Sequence, residues 1–375
     1  MNIAILSDRL LQNGGTESYL LDLINKYLLQ GDMVTVFTTK LDRRLDVLKN
    51  KNLSVVVQNI SACPKKLRFP FYYHFLRKQI SKESFDFVIG INSPYCPDVG
   101  ICCGTYLGSL KSSSWKNKIN PLNQLRARFE KRKYTDSNLM VAHSELSKQE
   151  LIDLYKIPAE KIKVIYPVPP LEKFKWKSAD SINQFRKKYN LSLSMTYFLF
   201  SSTGHQRKGL QLIIDALKLL NDKNMTVLVA GSLRSNFEDI PNIQYLGYIK
   251  DIDELYQACD ATILPSTYEP FGLVIVESLL SGTPVIISKN VGAKDLVKLS
   301  MGSILDNLTA ENLADVMKEY TYSKNIVLDK KLVHQQIEPF INHHSMIKEL
   351  RVSNNTPTTL RPYSPSDDEA GASHI

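Results

Sequence analysis

The sequence of 375 residues holds no apolar run of the ~18–20 residues needed to cross a bilayer, which excludes a helical membrane span. Its opening, MNIAILSDRLLQNGG, lacks the basic start and the small-residue cleavage site of a secretory leader. Cysteine is scarce. Cys63, Cys96, Cys102, Cys103 and Cys259 form an odd set without a CxxC pair, against a disulfide framework or zinc ribbon and for reduced thiols in a cytoplasmic protein. HExxH, the phosphate-binding P-loop and G-x-S-x-G are missing, and with them the commonest signatures of metalloproteases, P-loop NTPases and α/β-hydrolases. Neither an internal repeat of 20–50 residues nor an RNA-reading motif is visible, so no nucleic-acid partner is expected.

What remains is 43% hydrophobic and 23% charged, the composition of a folded protein, and its length suits two cores better than one. The net charge of +9 is lopsided: residues 1–165 carry 25 Lys and Arg against 15 Asp and Glu, the remainder 22 against 23. A basic first half implies an anionic partner, whether nucleic acid, a phosphorylated substrate or a membrane surface. Short apolar runs alternate with helical patterns. Strands are expected at 2–7, 32–39, 53–58, 86–91, 139–144 and 162–167, with a helix over 17–29. YPVPP at 166–170 interrupts both element types and marks a domain boundary. Alternation then resumes with strands at 196–202, 225–231, 243–248, 261–266 and 283–288 and helices near 210–220, 253–259 and 273–281. This is the pattern of βαβ units, hence an α/β fold of two parallel-sheet domains facing across a cleft. The domains expected are 1–166 and 167–328, then a terminal helix at 329–350. The stretch 351–375, rich in Ser, Thr, Pro and Asp, is too polar to repay folding and is expected to be a disordered tail.

Three segments could carry chemistry. In Glu269-Pro-Phe-Gly-Leu-Val-Ile-Val-Glu277 the first glutamate lies at the end of a strand, and Gly272 opens a helix whose first N–H groups suit negative charge or hydroxyls. Glu277, inside an apolar stretch, needs partners. Arg207 and Lys208, before Gly209 and a helix, pair a planar fork with a compact charge, a combination suited to a diphosphate. Asn13-Gly14-Gly15-Thr16-Glu17 makes a turn through which backbone can approach a ligand, although it is not the dinucleotide fingerprint. The bland alternatives are a surface loop, a basic turn and a plain tight turn. Asp251-Ile252-Asp253 reads as a helix cap rather than a metal-binding DxD. His343 and His344 read as surface residues, and His143 as a buried, hydrogen-bonded one. Two basic clusters, residues 65–78 with six rings and the group Arg126, Arg128, Lys131, Arg132 and Lys133, are either a reversible contact with anionic membrane or a core stripe with a solvated face.

Taken together, EPFGLVIVE, RKG after the first strand of the second domain and GG after the first strand of the chain resemble the retaining GT-B glycosyltransferases of family 4. The likeness runs over about 1–350 and is most specific over 196–290. VIGINSPYCPDVGICCG and FEKRKY are similar to lipopolysaccharide-core α-glucosyltransferases within that family. The resemblance implies a nucleotide-sugar donor, UDP-sugar foremost, a glycolipid or oligosaccharide acceptor, no metal or other cofactor, and work at the cytoplasmic face of the membrane. Arg207 and Lys208 would then hold the diphosphate, Glu269 the sugar hydroxyls and Glu277 the ribose. Backbone at Phe271, Gly272 and Leu273 would line sugar and phosphate, with Gly14, Gly15 and Glu17 closing from the first domain and Tyr248 and Ile249 near the base. Many relatives carry His or Asp in the loop after the fourth strand; here that loop offers Gly104 and Tyr106. An epimerase of the same fold and a nucleotide-sugar binder without turnover are the rival expectations.

Overall fold

The computed structural model describes residues 1–353 apart from 13, 65–66, 112–120, 233–236 and 323–327. Asn13 of the glycine turn, Lys65 and Lys66 of the first basic cluster and 354–375 of the expected tail lie outside the described residues.

Runs of branched residues make the strands of two parallel sheets, buried on both faces in the central strands and more open at the edges. In the first half these are β1 (Asn2–Ser7), β2 (Met33–Thr38), β3 (Leu53–Val57), β4 (Phe87–Ile91), β5 (Val99–Cys102), β6 (Leu139–Ala142) and β7 (Ile162–Val164). They lie in the order β3-β2-β1-β4-β5-β6-β7. In the second half β8 (Thr196–Ser202), β9 (Met225–Gly231), β10 (Ile243–Gly247), β11 (Ala261–Leu264), β12 (Val285–Ser288) and β13 (Gly302–Leu305) lie as β10-β9-β8-β11-β12-β13. Both orders reverse direction beside their first strand. The crevice outside the carboxyl ends at β1/β4, and likewise at β8/β11, is where such sheets bind ligands.

Helices cover both sheets. α1 (Gly15–Leu29) buries Tyr19, Leu20, Leu23, Ile24, Tyr27 and Leu28 on one face, each aliphatic side chain stabilising by about 1.5–3 kcal/mol. α2 (Arg68–Ile80) buries Tyr72, Tyr73 and Leu76, so two of the six rings of the aromatic cluster are core stripe; Phe69 and Phe75 are half-buried, and Phe71 (48%) and His74 are exposed. α3 (Tyr106–Lys111), α4 (Pro121–Asp136) and α5 (Glu145–Tyr155) complete the first domain. The second uses α6 (Ala179–Lys188), a single turn α7 (His205–Lys208), α8 (Leu210–Leu220), α9 (Ile252–Ala258), α10 (Leu273–Leu280), α11 (Ala310–Tyr322) and α12 (Lys330–Ile337).

The chain crosses between the sheets twice. It leaves the first through 166–170 and returns after the turn Glu338–Phe340, where the rings of Tyr166 and Phe340 meet edge to face with centroids 4.6 Å apart. It ends on α13 (His343–Ser353), which packs on α1. There Ile347 enters the first core and Tyr27 donates a hydrogen bond to the His344 carbonyl at 3.2 Å. The carboxylate of Asp32, buried, takes both the N-terminal amine (2.8 Å) and Lys348 (2.5 Å). Thus Arg351, Val352 and Ser353, expected in the tail, end a helix instead. His343 and His344 are buried, not on the surface, because the α13 stripe that seats Ile347 also carries them inward.

Candidate functional site

A cleft of about 1100 Å³ opens between the carboxyl ends of the two sheets. From the second domain it receives Arg207, supplied by α7 directly after β8, and Glu269, in the loop directly after the neighbouring strand β11. Gly209 ends α7 at φ +92°, and a Cβ there would stand 2.3 Å from the Pro265 carbonyl oxygen. Only glycine lets the two loops approach this closely. The Arg207 guanidinium donates to the Tyr268 carbonyl and, at 3.0 Å, to Glu269 Oε2. Lys208 Nζ lies 3.9 Å from the same oxygen and 3.5 Å from the Ser201 carbonyl. Two cations therefore converge on one carboxylate oxygen. The Glu269 backbone is pinned as well: its N–H donates to the Asn290 carbonyl (3.0 Å) and its carbonyl accepts from Gly292 N–H (2.9 Å).

Behind this loop Gly272 leads into α10, whose first N–H groups have no partners within the helix. Leu273 is its first residue. The Phe271 ring is buried on Tyr166, with centroids 6.0 Å apart. Glu277, half-buried on α10, accepts a hydrogen bond from the Tyr256 hydroxyl at 2.8 Å. Burial holds its carboxyl above the ordinary carboxylate range, against that hydrogen bond and the charges of Lys173 and Lys208.

On the opposite wall stand Glu17 and Tyr106. The Glu17 carboxylate folds back over the start of α1, 2.3 Å from where a Cβ on Gly14 would be, whereas the space beside Gly15 is open. Tyr106 N–H donates to Glu130 at 2.9 Å, and the Arg126 guanidinium lies 4.3 Å above the Tyr106 ring. The cleft wall thus unites Glu17, Tyr106, Arg207 and Glu269. Gly14, Gly15, Lys208, Phe271, Gly272, Leu273 and Glu277 lie outside it. So do Tyr248, which is 78% exposed, and Ile249, which packs on the second core.

Sequence reasoning missed the latch that joins the two walls. Tyr268 accepts a hydrogen bond from Thr105 N–H (3.1 Å) and donates to Glu150 (2.8 Å), which also takes the Thr105 hydroxyl (2.6 Å). Ser144 caps α5 by accepting from Ser147 N–H (3.0 Å), and its hydroxyl donates to the Pro270 carbonyl (2.6 Å). Nothing in the spacing of these residues signals that they meet, since the contact depends on how the domains close. The Pro270 ring fills the place where a side chain on residue 104 would lie: Gly104 has φ +137°, and a Cβ would sit 2.4 Å from Pro270 Cγ. Gly104→Ala should therefore both strain the backbone and prise the walls apart, lowering stability by about 1–3 kcal/mol. An unchanged urea midpoint would refute this.

Three smaller readings are sharpened by the structure. Asp251 stands at the cap of α9, but its side chain makes no capping hydrogen bond; Asp253 and Glu254 instead hold Lys177 at 3.1 and 2.8 Å. His143 is buried, yet its Nε2 has no hydrogen-bond partner, because the Tyr19 ring lies edge-on against it at 4.7 Å. The second basic cluster does not share one face: Arg128 and Lys131 are exposed, Arg132 lies over the Tyr73 ring and Lys133 is buried. Among the described residues, no helix is long and apolar enough to cross a membrane. Among them also, no group of three or more His, Cys, Asp or Glu is arranged to hold a metal ion.

Residues 13–172 match the family described as Glycosyltransferase Family 4, and 181–334 the family described as Glycosyl transferases group 1. A probable transglycosylase of Burkholderia thailandensis is 32% identical over 85% of this chain and 86% of its own length. Among solved structures the fold is similar to WaaG, a glycosyltransferase involved in lipopolysaccharide biosynthesis, with TM-score 0.73 at 16% identity over 94% of this chain and 98% of that one. It is also similar to Anabaena Alr3699/HepE in complex with UDP-glucose, with TM-score 0.71 at 20% identity over 94% and 100%.

Proposed function

We propose that this chain, which belongs to the family 4 glycosyltransferases of GT-B fold, moves a hexose from a nucleotide-diphosphate sugar to a glycolipid or polysaccharide acceptor in cell-envelope glycan assembly. The donor favoured is a UDP-sugar, the anomeric configuration is retained and no metal takes part. The observation that carries the reading is the convergence of Arg207 and Lys208 on Glu269 at the edge of the cleft. In the free protein the carboxylate satisfies both cations. A diphosphate would take over that role and release the Glu269 oxygen to accept from sugar hydroxyls. The leaving diphosphate would then be met by two fixed cations and the N-terminus of α10, charge stabilisation built in before the reaction. Glu277 would serve the ribose hydroxyls.

The acceptor would enter over the first domain, which carries the surplus positive charge. The exposure of Leu67, Phe71, Leu125, Arg128 and Lys131 in the first domain supports a reversible contact with anionic membrane at the cytoplasmic face. Flotation with anionic liposomes at low salt should carry the protein upward; failure to float at any salt removes this part of the proposal.

A thermal-shift panel of UDP-, GDP-, ADP- and TDP-sugars tests the donor. Ligand at ~100 times its dissociation constant should stabilise by about 2.7 kcal/mol, and Glu277→Ala should abolish the response. If no nucleotide sugar stabilises the wild type, the transferase reading fails and a role without turnover takes its place.

A further inference from the structure

The cleft extends past the Arg207–Glu269 pair into the first domain, and its floor there holds a charge that the donor side does not use. Lys133, on α4, is 5% exposed and lines the cleft beside Asn92 and Ser93, directly after β4, and Cys103, directly after β5. This is the β1/β4 switch point, the ligand crevice of the first sheet. The ammonium makes no hydrogen bond or ion pair among the described residues. It lies 5.2 Å from the centroid of the Tyr134 ring, and its charge is felt by the thiols of Cys96, Cys102 and Cys103. Nor is it a sealed orphan: Nζ is not among the unpartnered buried atoms shut off from solvent, so the little surface it keeps opens into the cleft.

Of the acids that line the cleft, Glu269 pairs with Arg207, Glu17 folds back over the start of α1 without an ion pair among the described residues, and two others hold partners of their own. Asp8 holds Arg9 (3.3 Å) and the Thr39 hydroxyl (3.1 Å). Glu130, one turn before Lys133, accepts from Tyr106 N–H (2.9 Å) and the Tyr155 hydroxyl. Further cations ring the opening. Arg9 and Lys40 stand opposite each other in a short parallel pair, and Arg126 covers Tyr106. A buried ammonium without a counter-charge is costly, and an anion entering the cleft would supply the missing partner.

We infer that Lys133 anchors an anion subsite on the acceptor side of the cleft, so that the acceptor is recognised through an oxyanion group, a phosphate ester or a uronic carboxylate, carried close to the hydroxyl that is glycosylated. The inference rests on the transferase reading for the word acceptor, but not for the existence of the site. Lys133 belongs to the first domain, on the wall opposite Arg207, and so recognises a different group from the donor diphosphate. It is a positioning residue, since it binds without touching the reacting atoms.

The test uses the full chain at fixed ionic strength, saturated with UDP so that the diphosphate position is filled. Inorganic phosphate and glucuronate are titrated separately, the first standing for a phosphate ester and the second for a uronic acid. One of them should bind the UDP complex, Lys133→Met should weaken it by at least about tenfold, and Lys133→Arg should keep it within a few-fold. Should the methionine variant fail to fold, the wild type answers alone: acetic anhydride should acetylate Lys133 measurably, and the same anion should slow that reaction. If Lys133 is not acetylated at all, or if neither anion changes its rate, the residue is part of the core and the inference is overturned. If UDP alone gives full protection and excludes both anions, Lys133 belongs to the donor diphosphate and the inference is equally overturned. If UDP does not bind but an anion still protects Lys133, the subsite stands and the transferase reading falls.

Discussion

Lys208→Ala loses about 10²–10³-fold in kcat/KM, the usual cost of removing one fixed donor from a developing negative charge. Its melting temperature stays within a few degrees of the wild type. In the free protein the Lys208 ammonium makes only a 3.5 Å contact to the Ser201 carbonyl and a 3.9 Å approach to Glu269. Little folding energy is therefore lost with it. Arg207 is a less clean probe, because its guanidinium also holds the Tyr268 carbonyl and so helps to shape the loop that presents Glu269. The measurement is release of nucleoside diphosphate at sub-saturating donor. Activity within threefold of the wild type would show that the diphosphate is neutralised elsewhere.

Stability is expected to fall as the pH drops into mild acid. Burial pulls the imidazoles of His143 and His343 down to about 3, the second helped by Lys26, so both are neutral in the folded chain. In the unfolded chain each titrates near ~6.5. Between those values the unfolded state binds protons that the native state refuses, so stability falls as pH drops below ~6.5. From pH 6.5 to 5 each histidine costs about 1.6 kcal/mol, and about 3 kcal/mol together is a large share of an ordinary domain's 5–15 kcal/mol. Asp22, 4.0 Å from His343, would recover part of this by pairing with the imidazolium. Urea midpoints at pH 7.5, 6.5 and 5.5 check the slope. His343→Phe should flatten it, since the stacked Tyr19 ring, with its centroid 5.3 Å away, accepts an apolar neighbour. A midpoint that does not move over this range would show that neither imidazole stays neutral.

The two results differ in how far the sequence foretold them. Arg207 and Glu269 are separated by 61 residues, yet each directly follows a strand, and in alternating α/β chains the loops after strands share one end of the sheet. Strand position was thus enough to bring them toward a common cleft. The strands themselves were legible wherever four or more branched residues ran together, as in MTVLVAG. Val99–Cys102 and Gly302–Leu305 escaped notice because each is a four-residue piece containing glycine, held in place by the neighbours it pairs with. Lys133 sits in a run of charges, RARFEKRK, where every lysine looks solvated; which one turns inward is decided by how α4 lies across the ends of β4 and β5. His343 and His344 looked exposed for the same kind of reason, since helix α13 finds its apolar partner more than 300 residues upstream, on α1.

The paired rings of Tyr166 and Phe340 set the geometry of any breathing motion. Two passages of the chain run side by side at that one place, so the lobes share a single axle instead of swinging on a loose tether. Tyr166 also lies against Phe271, next to the turn that opens α10. One side chain therefore touches both the returning passage and the ring beside the segment that bears Glu269, tying the connection between the lobes to that loop.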